Sequence, residues 1–389
     1  MCMTLNFLLI IALINSCIEL EISAPSFPDI AKYFIVPEYR VGLTITYNLF
    51  AFCLASLVYG ALSDNFGRRR IMLIGNAILT IGAVACVFAP SINWLLLFRF
   101  IQGAGAATSA VVVSAIIADL YNTNKAARLY GIMNAVFTTL MALSPVLGGF
   151  INQAVSWRGN YAAVALICIM SWILLLLFLP ETKKQKKSFN LNATLNDFRA
   201  ILSSTVFIST AVIPSLLYGC YIAFVAIAPF LYMKTFKLGI LTYTIHQGII
   251  AAAFALTSLI SGNITNMLGV KKSIYLGLFL ISISSTMMPA APSENYLTLM
   301  MALFCIGFAI LYPLIFARSI EIFPDIKGTA SSLIMSIRYL LCSAVTWLAN
   351  YIYNGSPVNL GLIILVLSMV TVLLTANLIR KKLFIIKLL

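Results

Sequence analysis

The sequence predicts an all-α membrane protein of twelve transmembrane helices arranged as two related six-helix halves. Three observations predict it. Of the 389 residues, 62% are hydrophobic and only 9% charged, against about 25% charged in soluble domains. Apolar runs long enough to cross a bilayer recur along the whole chain, separated by short polar connections. The turn Gly60-Ala-Leu-Ser-Asp64-Asn-Phe-Gly67-Arg68-Arg69-Arg70 returns 202 residues later: Gly60 recurs as Gly262, Asp64 as Asn266, Gly67 as Gly269, and Arg69-Arg70 as Lys271-Lys272. The chain is therefore read as a duplication.

In chain order the spans fall at about 5 to 24, 42 to 63, 70 to 89, 92 to 119, 128 to 152, 160 to 180, 203 to 233, 239 to 267, 272 to 290, 295 to 322, 327 to 353 and 357 to 380. The 60–70 turn must sit at a membrane interface, because each charged side chain in hydrocarbon costs about 2.5 to 3.5 kcal/mol. The longest polar connection, 181–202, opens Glu181-Thr-Lys-Lys-Gln-Lys-Lys and continues with an amphipathic segment in which Phe198 and Ile201 stand beside Asp197 and Arg199. It divides the chain into a first bundle, 1–180, and a second, 203–389. Its lysines suit an anionic inner leaflet.

The net charge of +14 does not point to nucleic acid, because all the basic residues except Arg99 and Arg338 lie in the connections. Arg68, Arg69, Arg70, Lys125, Arg128, Lys183, Lys184, Lys186, Lys187, Arg199, Lys271, Lys272, Arg318, Lys327, Arg380, Lys381, Lys382 and Lys387 all fall on one side of the membrane if the N-terminus is cytoplasmic. Lys32, Arg40, Arg158, Lys234 and Lys237 fall on the other. Positive-inside bias thus places both termini in the cytoplasm. The eight cysteines lie in or beside apolar segments without paired spacing, so neither disulfides nor a metal site are expected. No Lys or Arg precedes the first apolar run, which argues against a cleaved signal peptide.

Four motifs add a family. The 60–70 turn resembles the signature of the major facilitator superfamily, and Arg99-Phe-Ile-Gln-Gly103-Ala-Gly105 the fourth-helix signature of its proton-coupled drug antiporters. Ser144-Pro145-Val-Leu-Gly148-Gly149 resembles the fifth-helix antiporter motif, with Ser where Gly is usual, and Glu21-Ile-Ser-Ala-Pro25-Ser-Phe-Pro28 resembles the Asp-x-x-x-Pro-x-x-Pro pattern of the bicyclomycin and chloramphenicol resistance branch. The resemblance covers residues 19–149, and the second half adds only the repeated turn. It implies a monomeric, proton-driven transporter of the bacterial inner membrane that exports small organic molecules by alternating access, with the proton gradient in place of a cofactor. A proton-coupled nutrient importer and a dedicated metabolite or siderophore exporter would share these motifs.

Glu19 and Glu21 lie two residues apart in the first span, so on a helix they point about 200° apart. Glu21 takes the place of the branch's membrane-embedded Asp, one turn from Pro25, where a helix can open towards a cavity; it is the expected proton carrier. Arg99, at the start of an otherwise uncharged run, is the expected counter-ion of one of the two glutamates, and neutralising Glu21 is expected to weaken a pair with Arg99. The resemblance implies that Arg99 takes part in proton coupling and that Asp64, Arg68 and Asp119 latch the halves. Asp119 has a counterpart in Glu321, again 202 residues on.

Pro145, beside Ser144, Gly148 and Gly149, is expected to bend the fifth helix where the halves rock. Gly103 and Gly105 are expected to let helices pack closely. Candidate cavity residues are Tyr47, Asn48, Asn134, Tyr218, Tyr221, Phe224, Gln247 and Tyr339. Arg338, which has no acid in its own span, is expected either to bind an anionic substrate group or to pair with Glu19. His246, the only histidine, is read as a satisfied polar residue. With no nucleophile elbow, metal spacing or His/Cys/Asp cluster, an enzyme is not expected.

Overall fold

The computed structural model describes residues 2–121, 123–183, 191–323 and 327–380, with side chains at all of these except 2–4, 118, 123–128, 130–131, 134, 191–195, 317, 320–321 and 327–328. Every described regular element is helical. Helices satisfy their backbone within one segment, which a bilayer core demands.

The twelve spans are α1 (Leu5–Phe34), α2 (Glu38–Phe66), α3 (Arg68–Val87), α4 (Ile92–Leu120), α5 (Thr123–Ala154), α6 (Trp157–Phe178), α7 (Thr205–Thr235), α8 (Ile240–Leu268), α9 (Val270–Ala290), α10 (Glu294–Glu321), α11 (Lys327–Ile352) and α12 (Pro357–Arg380). Because the number is even, Cys2 and Arg380 lie at one end of the bundle. We call it the terminal end, and its opposite the far end.

α1 is longer than expected because it is broken. A first helix stops at Glu21, a 3-10 turn covers Ala24–Ser26, and a second helix runs Phe27–Phe34. Pro25 has no N–H to give the carbonyl of Glu21, so the ladder fails at that point.

The halves repeat one another in backbone as well as sequence. The residues that open corresponding helices have nearly the same angles: Pro37 (φ −66°, ψ 155°) and Gly239 (φ −69°, ψ 158°), Gly67 (100°, 149°) and Gly269 (79°, 155°), Ser91 (−149°, 166°) and Ser293 (−151°, 164°). The glycine packing repeats too. A Cβ on Gly105 would lie 2.7 Å from the carbonyl oxygen of Gly75 in α3, and one on Gly307 would lie 2.7 Å from that of Gly277 in α9. Small residues let these backbones approach within van der Waals range.

The two positive-φ turn glycines differ in surroundings. Nothing lies within 4 Å of a Cβ at Gly269, whereas a Cβ at Gly67 would meet Glu181 Oε2 at 2.3 Å. That carboxylate accepts from the N–H groups of Arg68 (3.0 Å) and Arg69 (3.3 Å), the free donors that open α3. Both Gly→Ala changes bear the cost of a left-handed backbone. Gly67→Ala also displaces the cap, so in thermal or denaturant unfolding it is expected to lose about 1 kcal/mol more than Gly269→Ala.

The halves touch along α2 and α11 and, through α1, α5, α7 and α8, near the far end. Ser56 and Ser336 share a 2.8 Å hydrogen bond, and Ser343 Oγ donates to the carbonyl of Thr46 (3.1 Å). At the far end Lys234 pairs with Glu38 at 2.7 Å, Thr235 Oγ1 donates to the carbonyl of Gly355, and Phe230 packs between Phe27 and Tyr353. α7 is buried continuously from Gly219 to Tyr232. α1 packs on α7 and α8 through its break and the segment beyond, with Glu21 at the edge of the break reaching Tyr221, while its earlier part packs on α4, α5 and α6. The interface is thus closed at the far end.

A linker helix, Leu191–Ser203, tucks Ile201 fully beneath Phe207 and Ile334, with Phe198 partly buried beside it. The amphipathic segment expected from the sequence therefore docks on α7 and α11.

Candidate functional site

Arg99, Gln102 and Gly103 occupy one face of α4, as their i, i+3, i+4 spacing dictates. Gly103 lets α2 close in: a Cβ there would lie 2.1 Å from the carbonyl oxygen of Asn48. That approach delivers Asn48 to the charge. Arg99 Nη1 donates to Glu19 Oε2 at 2.6 Å, to the carbonyl of Glu19 at 3.0 Å and to Gln102 Oε1 at 2.7 Å. Asn48 Nδ2 donates to the same Glu19 Oε2 at 3.1 Å and to the carbonyl of Arg99 at 3.3 Å. Glu19 and Arg99 are buried to 2% and 0% side-chain exposure, so the pair is shut away from water.

This corrects the expected pairing of Glu21 with Arg99. The near-opposite directions of the two glutamates send Glu19 towards α2 and α4, and Glu21 towards α7. There both carboxylate oxygens of Glu21 stand 3.4 Å from the hydroxyl of Tyr221, which donates across the boundary between the halves. Glu21 is buried to 2% exposure, and none of the salt bridges among the described residues includes it. One acid is thus compensated by a fixed cation, and the other, among the described residues, is held by a phenol alone. A small cavity between the halves is lined by both glutamates and by Asn48, Phe137, Tyr218 and Tyr339, among others.

Arg338 does not pair with Glu19, because Arg99 already holds that carboxylate. Its guanidinium lies over the rings of Tyr312 (5.2 Å) and Phe316 (5.3 Å) in α10. Tyr218 and Tyr339 border the cavity, and Tyr339 stacks on Phe52 at 3.7 Å. Tyr47 is 42% exposed on the outer surface of α2 and does not face the cavity, since its neighbour Asn48 takes the inward direction. Gln247 is buried with both amide atoms lacking a partner among the described residues, and Phe224 packs against Tyr232 in the core. His246 Nδ1 shares a 2.9 Å hydrogen bond with Thr298. The side chains of Asn134 and Glu321 lie outside the described residues.

Among the described residues, Asp64, Arg68 and Asp119 meet within the first half. Arg68 is bound through Nη2 to Asp64 (2.8 Å) and through Nε to Asp119 (2.9 Å), and Lys183 adds a bond to Asp64 (2.8 Å). Arg69 donates to the carbonyls of Leu179 and Leu176, pinning the end of α6. The cluster joins α2, α3, α4, α6 and the start of the linker. Among the described residues it does not bridge the halves. Glu181 and Gln102 are participants that the sequence reading assigned no role, and Lys183 was read only as a leaflet-facing lysine; only Gln102 had a local signal, three residues after Arg99.

In α5, Ser144 is buried and Pro145 lies inside the continuous helix Thr123–Ala154. Gly148 faces the break in α1, where a Cβ would lie 2.0 Å from the carbonyl oxygen of Ile22; on Gly149 it would lie 2.3 Å from Thr244 Cγ2 in α8. The motif therefore spans the contact between the broken helix and the second half.

The profile of the Major Facilitator Superfamily matches residues 9–346, most of the chain. The chain belongs to the major facilitator superfamily. Among its relatives is the bicyclomycin resistance protein homolog of Haemophilus influenzae, 24% identical over 323 residues and 81% of each chain. Another is the multidrug resistance protein MdtL of Shigella flexneri, 26% identical over 360 residues, 89% of this chain and 88% of that one. These relatives agree with the bicyclomycin and chloramphenicol resistance branch. The partially occluded, inward-open structure of the xylose transporter XylE from E. coli superposes with a TM-score of 0.78 over 97% of both chains at 14% identity, a likeness of fold. The superfamily member is accordingly a membrane transporter whose twelve helices hold two buried glutamates in different surroundings.

Proposed function

We propose that this superfamily member is a proton-coupled exporter of small organic molecules, working by alternating access as a monomer in a bacterial inner membrane with both termini cytoplasmic. The observation that carries the reading is the contrast between the two acids. Glu19 is fixed by Arg99 and Asn48, whereas Glu21 sits at the break of α1 with, among the described residues, only the hydroxyl of Tyr221 from the other half. A buried carboxylate without a cation gains much by taking a proton, and its single partner belongs to the element that must move away when the far end opens.

On this reading the far end is periplasmic, in line with the basic side chains at the terminal end, and the closed far end makes this the inward-facing arrangement. Opening the far end separates α1 from α7 and exposes Glu21 to the outside, where it takes a proton. Closing returns it to the cavity facing the cytoplasm. Substrate then displaces the proton and is carried out, so the two ligands oppose each other at one site. The gradient supplies the energy and no cofactor or metal takes part; the substrate, the proton and surrounding lipid are its only partners, and no chemical conversion occurs. The export direction rests on the relatives' drug-resistance names and on the Ser144 to Gly149 motif.

Cells test the direction. With a radiolabelled panel of cationic, zwitterionic and anionic compounds, cells making the wild type are expected to accumulate at least one class several-fold less than cells making Glu21→Gln, and a protonophore is expected to abolish the difference. Greater accumulation with the wild type would identify an importer.

A further inference from the structure

Among the described residues, Arg338 is the one buried cation in the spans whose charge the mechanism above leaves unused. It stands roughly 16 Å from the start of α11 and 21 Å from its end at the rise of an α-helix, too deep for its side chain to reach either interface. Its side chain belongs to a residue only 8% exposed, its Nε and Nη2 have no geometric partner among the described residues, Nη1 reaches Met335 Sδ at 3.8 Å, and the Tyr312 phenol is beside it, but no described carboxylate pairs with it. Arg99 also leaves two nitrogens unbound, but Arg99 has its carboxylate. Arg338 has two aromatic faces instead, which attract a cation but accept no planar pair of hydrogen bonds. An unpaired, always-charged fork at mid-membrane is matched in chemistry by a carboxylate or similar oxyanion.

The path from Arg338 to Glu21 is aromatic. Tyr221, which holds Glu21, stacks on Tyr218 with ring centres 6.3 Å apart, and Tyr218 meets the ring of Tyr339 edge-on at 6.5 Å. Tyr218 and Tyr339 also line the central cavity. A negative end, a tyrosine wall and a positive end thus follow one another across the boundary of the halves.

We infer that the transported compound is a zwitterion with an aromatic or apolar body, its anionic group seated on Arg338 and its cationic group on Glu21 in place of the proton. This rests on Glu21 being the proton carrier. A purely cationic compound would meet the unpaired guanidinium. A purely anionic one would not displace the proton from Glu21, and the two would travel together.

The test uses the full chain in lipid nanodiscs and a matched fluorescent set: Nε-dansyl-lysine, a zwitterion; its methyl ester, a cation; and its Nα-acetyl derivative, an anion. The wild type is expected to bind the zwitterion most tightly. Arg338→Gln should weaken the zwitterion and the acetyl derivative by about 30-fold, the loss typical of truncating one partner of a buried charge pair, and leave the ester within about twofold. Arg338→Lys should recover part of the loss, and Glu21→Gln should weaken the zwitterion and the ester but not the acetyl derivative. If the wild type prefers the ester or binds none of the three, or if Arg338→Gln weakens all three equally or lowers thermal stability without altering charge preference, the proposal is overturned. Arg338-dependent binding without proton movement in proteoliposomes would count against proton coupling while leaving the anion seat in place, so the two failures are separable.

Discussion

Arg99→Gln is expected to lower stability by about 3 to 5 kcal/mol, because it leaves the Glu19 carboxylate buried without its cation. Nothing nearby substitutes: Asn48 supplies one hydrogen bond at 3.1 Å, and Gln102 presents its carbonyl oxygen to Arg99. The double change Glu19→Gln with Arg99→Met removes both charges together and is expected to restore most of the loss, because an intact buried pair contributes little net stability over neutral packing. Denaturant unfolding of the single and double variants in one detergent measures this. If Arg99→Gln unfolds at the wild-type midpoint, the pair is not charged as drawn.

Gly148→Leu is expected to be comparably damaging for a steric reason. The Cβ of any side chain there would fall 2.0 Å from the carbonyl oxygen of Ile22, a backbone atom that cannot rotate away, at the break beside Glu21. Overpacked cores lose about 1 to 3 kcal/mol and sometimes more, and forcing α5 away from α1 should abolish transport as well. Gly262→Leu is the control, since nothing lies within 4 Å of a Cβ there. Equal transport by the two variants would detach Gly148 from the mechanism.

The spans were legible because hydrocarbon permits so little: long apolar runs must be helices, and charged turns must lie outside them. The duplication was legible in Gly60 and Gly67, whose counterparts Gly262 and Gly269 keep the spacing, and the structure extends it to Gly75, Gly105, Gly277 and Gly307. The break in α1 followed from Pro25. Which glutamate meets Arg99 was not legible. Spacing separates the directions of Glu19 and Glu21, but the rotation of α1 against α2, α4 and α7 is set by packing at Gly103 and Gly148. Tyr47 failed for the same reason, one residue from Asn48 and about 100° around the helix, where it is exposed. Glu181 and Lys183 reach Arg68 and Asp64 across more than a hundred residues of chain, where no periodicity signals a contact.

The central claim is that Glu21 carries the proton, and proteoliposomes enclosing a pH-sensitive dye test it most directly. Glu21→Gln suits the purpose: Glu21 has no ion partner among the described residues to orphan, and the amide oxygen can still accept from Tyr221, so thermal unfolding should stay near wild type. Wild-type vesicles given a transported compound are expected to move protons opposite to it, and Glu21→Gln is expected to abolish that proton movement. Proton-coupled flux persisting in a folded Glu21→Gln protein would contradict the account.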